Sequence, residues 1–234
     1  MSNEKKHDTP CLVKPEASCV INNVENAIAQ VIFAHGAGAD MYHEFMEKIS
    51  IGLNSAGINV LRFNFPYMDK RIELGKKYPP DRMPKLLDCY QSIVDKTIVE
   101  LAKNKQMLPL FIGGKSMGSR VAATLAGSEN NQHKIKGVFC LGYPFHPAKK
   151  PDKLRLEPLQ ETLKPILIVQ GERDTLGSAT ETADYDVSDL CQYLFLNDGD
   201  HSLKPRVKSG FTYPQHMESA IKAIVDFISN PQGT

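Results

Sequence analysis

Short apolar segments alternate with longer amphipathic segments along most of this chain. The apolar segments with the character of strands are AQVIFAHG, INVLRFNF, LPLFIGG, IKGVFCLGYP, KPILIVQG and QYLFLND. The segments with helical periodicity are MYHEFMEKISIGLNSAG, a stretch around residues 85–104, SMGSRVAATLAG and YPQHMESAIKAIVDFIS. This alternation predicts an α/β fold, in which helices cover both faces of a mostly parallel central sheet.

The connections of such a sheet matter for function, because ligands bind outside the carboxyl ends of parallel strands. The longest connection, residues 66–85, is polar and is predicted to be a loop. The chain has 234 residues, with no internal repeat and no convincing linker. This length predicts one domain over residues 1–234, with residues 1–9 as a flexible N-terminus.

Charge and cysteine content exclude several classes of function. The 28 basic and 27 acidic residues nearly cancel in charge. The sequence has no basic stripe interleaved with aromatic residues, so we expect no binding to nucleic acid. The start of the chain lacks the apolar segment of a secretory signal, and no apolar run approaches the length of a membrane span. The five cysteines are scattered and odd in number, so they form neither a disulfide framework nor a paired metal motif. We therefore expect a cytoplasmic protein without a membrane partner, and the oligomeric state stays open.

The segment FIGGKSMGSRVA carries the motif Gly114-x-Ser116-x-Gly118 between a predicted buried strand and a predicted helix. A phosphate-binding loop would also contain Gly-Lys-Ser, but it needs a glycine where Pro109 stands. A nucleophile elbow fits both flanks, because it is a tight strand–turn–helix that presents a serine hydroxyl above the sheet. Ser116 is therefore the predicted nucleophile.

A serine hydroxyl needs a histidine to take its proton and a carboxylate to orient that histidine. His201 follows the last predicted strand, and Asp174 follows the buried strand KPILIVQG. Asp198 and Asp200 are rivals for the acid, but their closeness to His201 predicts that they shape its loop. The resulting order of serine, acid and histidine is that of the α/β hydrolases, and it predicts a catalytic triad.

The oxyanion of an acyl-transfer intermediate needs backbone N–H donors. The predicted donors are Met117 at the head of the elbow helix and Ala37, with Gly38 as the next candidate, after the first predicted strand. The segment GAGADM lacks the third glycine of a dinucleotide fingerprint, and HEFME lacks the second histidine of a zinc helix. We therefore predict no metal site.

Several motifs together resemble the α/β-hydrolase superfamily. FAHGAGAD, LRFNFPYM, GGKSMGSRVA, CLGYPFHP, GERD and GDHSL are similar to those of small dienelactone-hydrolase-like serine hydrolases. The most similar branch contains bacterial proteins and vertebrate testis-expressed and chromatin-complex-subunit homologues. The resemblance covers roughly residues 30–229, and it implies a sheet of eight or slightly fewer strands, a Ser-His-Asp triad and no cofactor. Dienelactone hydrolases proper use a cysteine where this chain has Ser116, so their particular reaction is not implied.

The interval between CLGYP and KPILIV is too short and too rich in proline for a helical cap, so we expect a minimal cap or none. The loops at residues 65–85 and 143–153 would then cover Ser116. Five residues are predicted to line the substrate pocket, or equally to pack these loops down: Phe65, Tyr67, Tyr143, Phe145 and His146. Basic residues in the same loops, among them Lys70, Arg71, Lys76 and Lys77, form either a solvated rim or an attraction for an anionic substrate.

These patterns support two hypotheses about function. The first is a serine hydrolase that cleaves a small-molecule carboxylic ester or thioester through an acyl-enzyme. The second is a hydrolase-fold binding or scaffold protein without catalysis. The presence of all three triad residue types favours the hydrolase.

Overall fold

The structure of the protein is a computed structural model that describes residues 9–10 and 17–231. Of the predicted flexible N-terminus, residues 1–8 lie outside this part, whereas Thr9 lies in a strand. The strands are β1 (Thr9–Pro10), β2 (Cys19–Asn22), β3 (Ala29–Ala34), β4 (Ile58–Phe63), β5 (Leu110–Lys115), β6 (Gly137–Leu141), β7 (Ile166–Gly171) and β8 (Cys191–Leu196). The helices are α1 (Glu44–Ser55), α2 (Pro66–Leu74), α3 (Met83–Lys103), α4 (Met117–Ala126), α5 (Glu157–Gln160), α6 (Ala179–Thr182) and α7 (Tyr213–Ser229).

The eight described strands form one sheet in the order β1-β2-β4-β3-β5-β6-β7-β8. From β4 to β8 every neighbouring pair is parallel, whereas β2 pairs antiparallel with β4 and with β1. Strands β3, β4 and β6 are buried along their whole length, as expected for parallel strands covered on both faces. The predicted α/β-hydrolase fold with a mostly parallel sheet is confirmed.

Helices pack on both faces of the sheet because alternate strand residues point in opposite directions. In β3, Val31 and Phe33 join the core beneath α1 and α7, whereas Ile32 and Ala34 join the core beneath α3 and α4. Small buried residues of α4 (Gly118, Ser119, Ala122, Ala123 and Ala126) allow this helix to lie close to the sheet. The start of α4 is thereby fixed beside the end of β5.

The prediction of a loop over residues 66–85 is wrong in its first half, where α2 lies. Pro66 occupies the first position of this helix, where its fixed φ suits a helix and its missing N–H is not needed. Gly75 ends the helix with a φ of 61°, in the left-handed conformation. The sequence signals for this helix lie at its two ends, Pro66 and Gly75, because the charged sequence between them shows little apolar periodicity.

The connection between β6 and β7, residues 142–165, contains a single helix, the four-residue α5. The expectation of a minimal cap or none is therefore confirmed. No helix within the described part of the chain is both long and apolar enough to cross a membrane.

Candidate active site

Ser116 lies between the last residue of β5 and the first residue of α4, in a backbone conformation that is rare outside glycine. Its φ is 53° and its ψ is −111°. Such a conformation costs on the order of 1–3 kcal/mol and persists only where the surroundings enforce it. A Cβ on Gly114 would lie 2.2 Å from the carbonyl carbon of Gly118, and one on Gly118 would lie 2.5 Å from the Ala34 oxygen. Both glycines of the motif are therefore required by the close approach of strand, turn and helix.

The structure brings Ser116, His201 and Asp174 together from three loops at the carboxyl ends of β5, β8 and β7. His201 Nε2 lies 2.9 Å from Ser116 Oγ, and His201 Nδ1 lies 2.8 Å from Asp174 Oδ2. Because a carboxylate only accepts hydrogen bonds, Nδ1 carries the proton of the neutral imidazole. Nε2 is then left with a lone pair that can accept the proton of the serine hydroxyl.

The carboxyl group of Asp174 is fully buried and held by the protein on both oxygens. Oδ1 accepts the N–H of Leu176 at 2.8 Å, and Oδ2 accepts Nε2 of Gln170 at 2.9 Å. Gln170, buried at the end of β7, is fixed in turn by the N–H and C=O of Tyr143. Gln170 was not predicted from the sequence, although a glutamine within the apolar run ILIVQG is a visible signal.

The two rival carboxylates hold the loop of His201 rather than its imidazole. Oδ1 of Asp200 accepts the N–H groups of Ser202 and Lys204 at 2.8 and 3.0 Å. Asp198 pairs with Arg206, whose hydrogen bonds lower the pKa of this carboxyl to about 2. Both acids therefore act on the backbone path around the histidine.

Two backbone segments near Ser116 carry the predicted oxyanion donors. Met117 is the first residue of α4, so its N–H belongs to the first turn, which has no partner within the helix. Ala37 and Gly38 follow β3, and a Cβ on the preceding Gly36 would lie 3.6 Å from the Ser116 Cβ. The chain after β3 therefore passes directly beside the elbow at Gly36, immediately before Ala37.

His35, which sequence analysis did not assign to the site, fixes this segment from inside the protein. Its Nδ1 donates to the Gly36 oxygen at 2.6 Å, and its Nε2 accepts the N–H of Phe65 at 3.0 Å. Since C=O and N–H of one peptide group point in opposite directions, holding the Gly36 oxygen also sets the direction of the Ala37 N–H. Burial lowers the pKa of His35 to about 4, which keeps the ring neutral and able to accept from Phe65.

The next peptide group of this segment is held from helix α2. Arg71 Nη1 donates to the Ala37 oxygen at 2.9 Å, and the Tyr67 hydroxyl donates to the Gly36 and Ala37 oxygens at 3.3 and 3.2 Å. These contacts orient the Gly38 N–H as well. The helix missed in the sequence thus supports both candidate donors, Ala37 and Gly38.

The five predicted pocket residues are buried among other side chains. Phe65 packs edge-on against Phe63 and Tyr90, and Phe145 lies against Tyr185 and Tyr193. The five side chains concerned, all at most 3 % exposed, are Phe65, Tyr67, Tyr143, Phe145 and His146. The structure therefore places them in the packing of the loops, the second of the two interpretations that the sequence left open.

An open depression of about 640 Å³ adjoins the segment after β3. It is lined by Ala37, Gly38, Met68, Arg71, Gly75, Lys76, Lys77 and Pro80. Three of these residues are cationic and none is acidic. The Lys70 ammonium lies outside this lining, 4.5 Å from the centre of the Tyr78 ring.

Among the described residues, no group of three or more His, Cys, Asp or Glu side chains could hold a metal ion. The side chains that meet at Ser116 are a hydroxyl, an imidazole and a carboxylate, joined by two hydrogen bonds.

Comparison with known proteins identifies the family. The sequence model of the alpha/beta hydrolase domain matches residues 27–229 of the chain. The chain belongs to this alpha/beta hydrolase family. Membership in the family, with hydrolases among the similar structures, supports a hydrolase function.

Three solved structures illustrate the similarity of the alpha/beta hydrolase fold. A dienelactone hydrolase from Anabaena variabilis has a TM-score of 0.70 at 16% identity, over 96% of this chain and 97% of that one. A serine hydrolase without a lid from Xanthomonas campestris has a TM-score of 0.66 at 14% identity, over 100% and 98%. A monoglyceride lipase from Saccharomyces cerevisiae, bound to a substrate analogue, has a TM-score of 0.69 at 14% identity, over 98% and 96%. These likenesses show a shared fold.

The lowered pKa of His35 predicts a specific acid sensitivity of this alpha/beta hydrolase. The unfolded chain binds a proton on this residue near pH 6.5, but the folded protein binds it only near pH 4, so acidification through this window favours unfolding. We expect His35 to remove about 2 kcal/mol of the free energy of unfolding between pH 7 and pH 5. His35→Gln, which retains a donor and an acceptor but cannot be protonated, should lack this loss in urea titrations at the two pH values.

The control is His133→Gln, a change at an exposed histidine, which should keep the wild-type dependence on pH. Equal losses of stability in the wild type and in His35→Gln would show that His35 does not titrate in this window.

Proposed function

We propose that the protein is a serine hydrolase that cleaves small carboxylic esters or thioesters through an acyl-enzyme. The observation that carries the proposal is the hydrogen-bonded series from Ser116 through His201 to Asp174, with distances of 2.9 and 2.8 Å. The strained backbone of Ser116 supports it independently, because strain of this kind clusters at functional sites.

In the first step, Ser116 Oγ attacks the carbonyl carbon of the substrate and passes its proton to His201 Nε2. The carboxylate of Asp174 stabilises the imidazolium that forms and keeps Nδ1 protonated. Because Asp174 is buried and fixed by Gln170 and Leu176, it can do this without reorganising.

The tetrahedral intermediate carries a negative charge on the former carbonyl oxygen. We assign its stabilisation to the backbone N–H groups of Met117 and Ala37, with Gly38 as the alternative to Ala37. Donors of this kind each contribute about 3–4 kcal/mol of transition-state stabilisation in a well-studied protease. His35 and Arg71 would act indirectly, by fixing the peptide groups that carry these donors.

The intermediate then collapses as the imidazolium donates its proton to the leaving alcohol or thiol, and an ester bond to Ser116 Oγ remains. In the second half-reaction His201 takes a proton from water, and the resulting hydroxide attacks the acyl carbon. Ser116 recovers its proton when the carboxylic acid leaves. The proposed reaction uses no cofactor. A single cytoplasmic domain would carry it out.

We further propose that the substrate carries a negative charge. The depression beside Ala37 and Gly38 is lined by Arg71, Lys76 and Lys77 and by no acidic residue. A cationic wall next to the oxyanion position raises the local concentration of anions and orients them toward Ser116.

Replacement of the proposed nucleophile tests the reaction. Ser116→Ala should abolish labelling by a fluorophosphonate probe and lower ester hydrolysis by several orders of magnitude, because the loss of a triad nucleophile removes that much rate. Labelling is read by gel fluorescence and hydrolysis with p-nitrophenyl acetate. Ser55→Ala, on the surface of α1, is the matched control and should behave as the wild type.

Hydrolysis that survives at the wild-type rate in Ser116→Ala would contradict the assignment of the nucleophile. A wild-type protein that neither reacts with the probe nor hydrolyses activated esters or thioesters would favour the alternative, a binding or scaffold protein.

Two matched amide substitutions test the acid. Asp174→Asn should lower kcat by about four orders of magnitude, the loss found for the same change in a well-studied protease triad. Asp200→Asn should lower it far less, because Oδ1 of the amide can still accept the N–H groups of Ser202 and Lys204. Steady-state kinetics on the same ester compare the two. A larger loss for Asp200→Asn would show that the acid has been wrongly chosen.

Replacement of the two exposed lysines tests the charge of the substrate. Lys76→Gln with Lys77→Gln should lower kcat/KM for an anionic ester, such as p-nitrophenyl hemisuccinate, by about fivefold at low salt. The loss should shrink as salt rises, and the neutral p-nitrophenyl acetate should be unaffected. Lys103→Gln with Lys105→Gln, at the end of α3, is the control. An equal loss for both esters would indicate that the loop has been disturbed rather than a charge removed.

A further inference from the structure

Lys115 is a partly buried lysine that takes no part in the proposed reaction. It is the last residue of β5 and immediately precedes Ser116. Its Nζ donates to the backbone oxygen of His201 at 2.7 Å. One hydrogen bond thus joins the segment that carries the nucleophile to the peptide group of the histidine.

The surroundings of the ammonium group disfavour its charge. Burial lowers the pKa of Lys115 to about 8, and the through-space attraction of Asp174 and Asp200 offsets only part of this effect. The Phe45 ring of α1 has its centre 5.7 Å from Nζ. A Cβ on Gly142 would lie 2.7 Å from Nζ and 2.8 Å from the His201 oxygen, so the glycine leaves room for the contact. The groups that face the ammonium are therefore Phe45 from α1, Gly142 after β6, Asp174 after β7, and Asp200 and His201 after β8.

A lysine in such a place is unfavourable for stability, because its charge loses hydration. A methionine of similar length would fill the same space without this cost. The feature that methionine cannot supply is a charge-assisted hydrogen bond to the His201 oxygen, which is stronger than a neutral one. The benefit of Lys115 is therefore expected in the site rather than in the core.

We propose that Lys115 is a positioning residue of this hydrolase: its ammonium group holds the peptide group of His201 and thereby sets the imidazole between Asp174 and Ser116. The inference rests on the proposed reaction. Its physical basis is that His201 lies on a loop, whereas Lys115 lies on a central strand of the sheet. A misplacement of about 1 Å in a catalytic group can lower a rate by about a hundredfold.

The test compares Lys115→Met and Lys115→Arg with the wild type and with the surface control Lys103→Met. We expect Lys115→Met to react with the fluorophosphonate probe about ten- to a hundredfold more slowly than the wild type, with KM for p-nitrophenyl acetate unchanged. Its melting temperature should equal or exceed that of the wild type, because a poorly hydrated charge has been removed. Lys115→Arg should recover part of the rate.

The pH profile distinguishes positioning from a purely structural role. The wild-type labelling rate should decline above about pH 8, as the amine loses its charge and its hydrogen bond weakens. Lys115→Met should show no such decline, and Lys115→Arg, which stays charged, should show none either. The proposal would be overturned if Lys115→Met were labelled at the wild-type rate. It would also be overturned if the labelling rate of the wild type stayed level up to pH 10.

Failure of the reaction itself can be separated from failure of this inference. If the wild type does not react with the probe, the proposed function has failed, and the low-field proton NMR signal of His201 Nδ1–H, hydrogen-bonded to Asp174, becomes the readout. Loss or a large shift of that signal in Lys115→Met, but not in Lys103→Met, supports the positioning of His201 by Lys115. An unchanged signal overturns it.

Discussion

The backbone of Ser116 is the constraint on which the rest of the site depends. A non-glycine residue at a φ of 53° and a ψ of −111° is held only because β5 and α4 are each fixed by packing. Strand β5 lies between β3 and β6 within the sheet, and α4 packs on the sheet through its small residues. The unfavourable local conformation is thus maintained by many favourable long-range contacts, as strained functional residues require.

Once the serine is fixed, each of its neighbours is held by a side chain that the proposed reaction does not use. Gln170 holds the carboxyl group of Asp174, and His35 holds the segment with Ala37. We infer the same role for Lys115 with respect to His201. All of these supporting bonds involve backbone groups or buried polar atoms, so the arrangement is preorganised, and electrostatic stabilisation by preorganised groups needs no rearrangement during the reaction.

The sequence predicted the sheet, the elbow and the three residues that meet there, because each depends on a local pattern: apolar runs, two glycines and loops that follow strands. It did not predict α2, whose helical signal lies at its ends, or the short antiparallel β2. It also missed Gln170 and His35, whose roles arise from contacts between residues far apart in the chain. The aromatic residues near the site were ambiguous for a related reason, since loop packing and pocket walls use the same residue types.

Helix α2 connects the two parts of the proposed function, which are the hydrolysis at Ser116 and the recognition of a negatively charged substrate. Arg71 donates from Nη1 to the Ala37 oxygen and from Nε to the Tyr78 oxygen, and it also lines the basic depression. Its guanidinium carries five donors in a planar fork, so these two bonds to backbone oxygens still leave donors for an anion. Through Tyr67 and Arg71, the connection after β4 covers the segment that carries Ala37 and Gly38. A substrate bound there would therefore contact the residue that orients the proposed oxyanion donors, and recognition and catalysis would share one side chain.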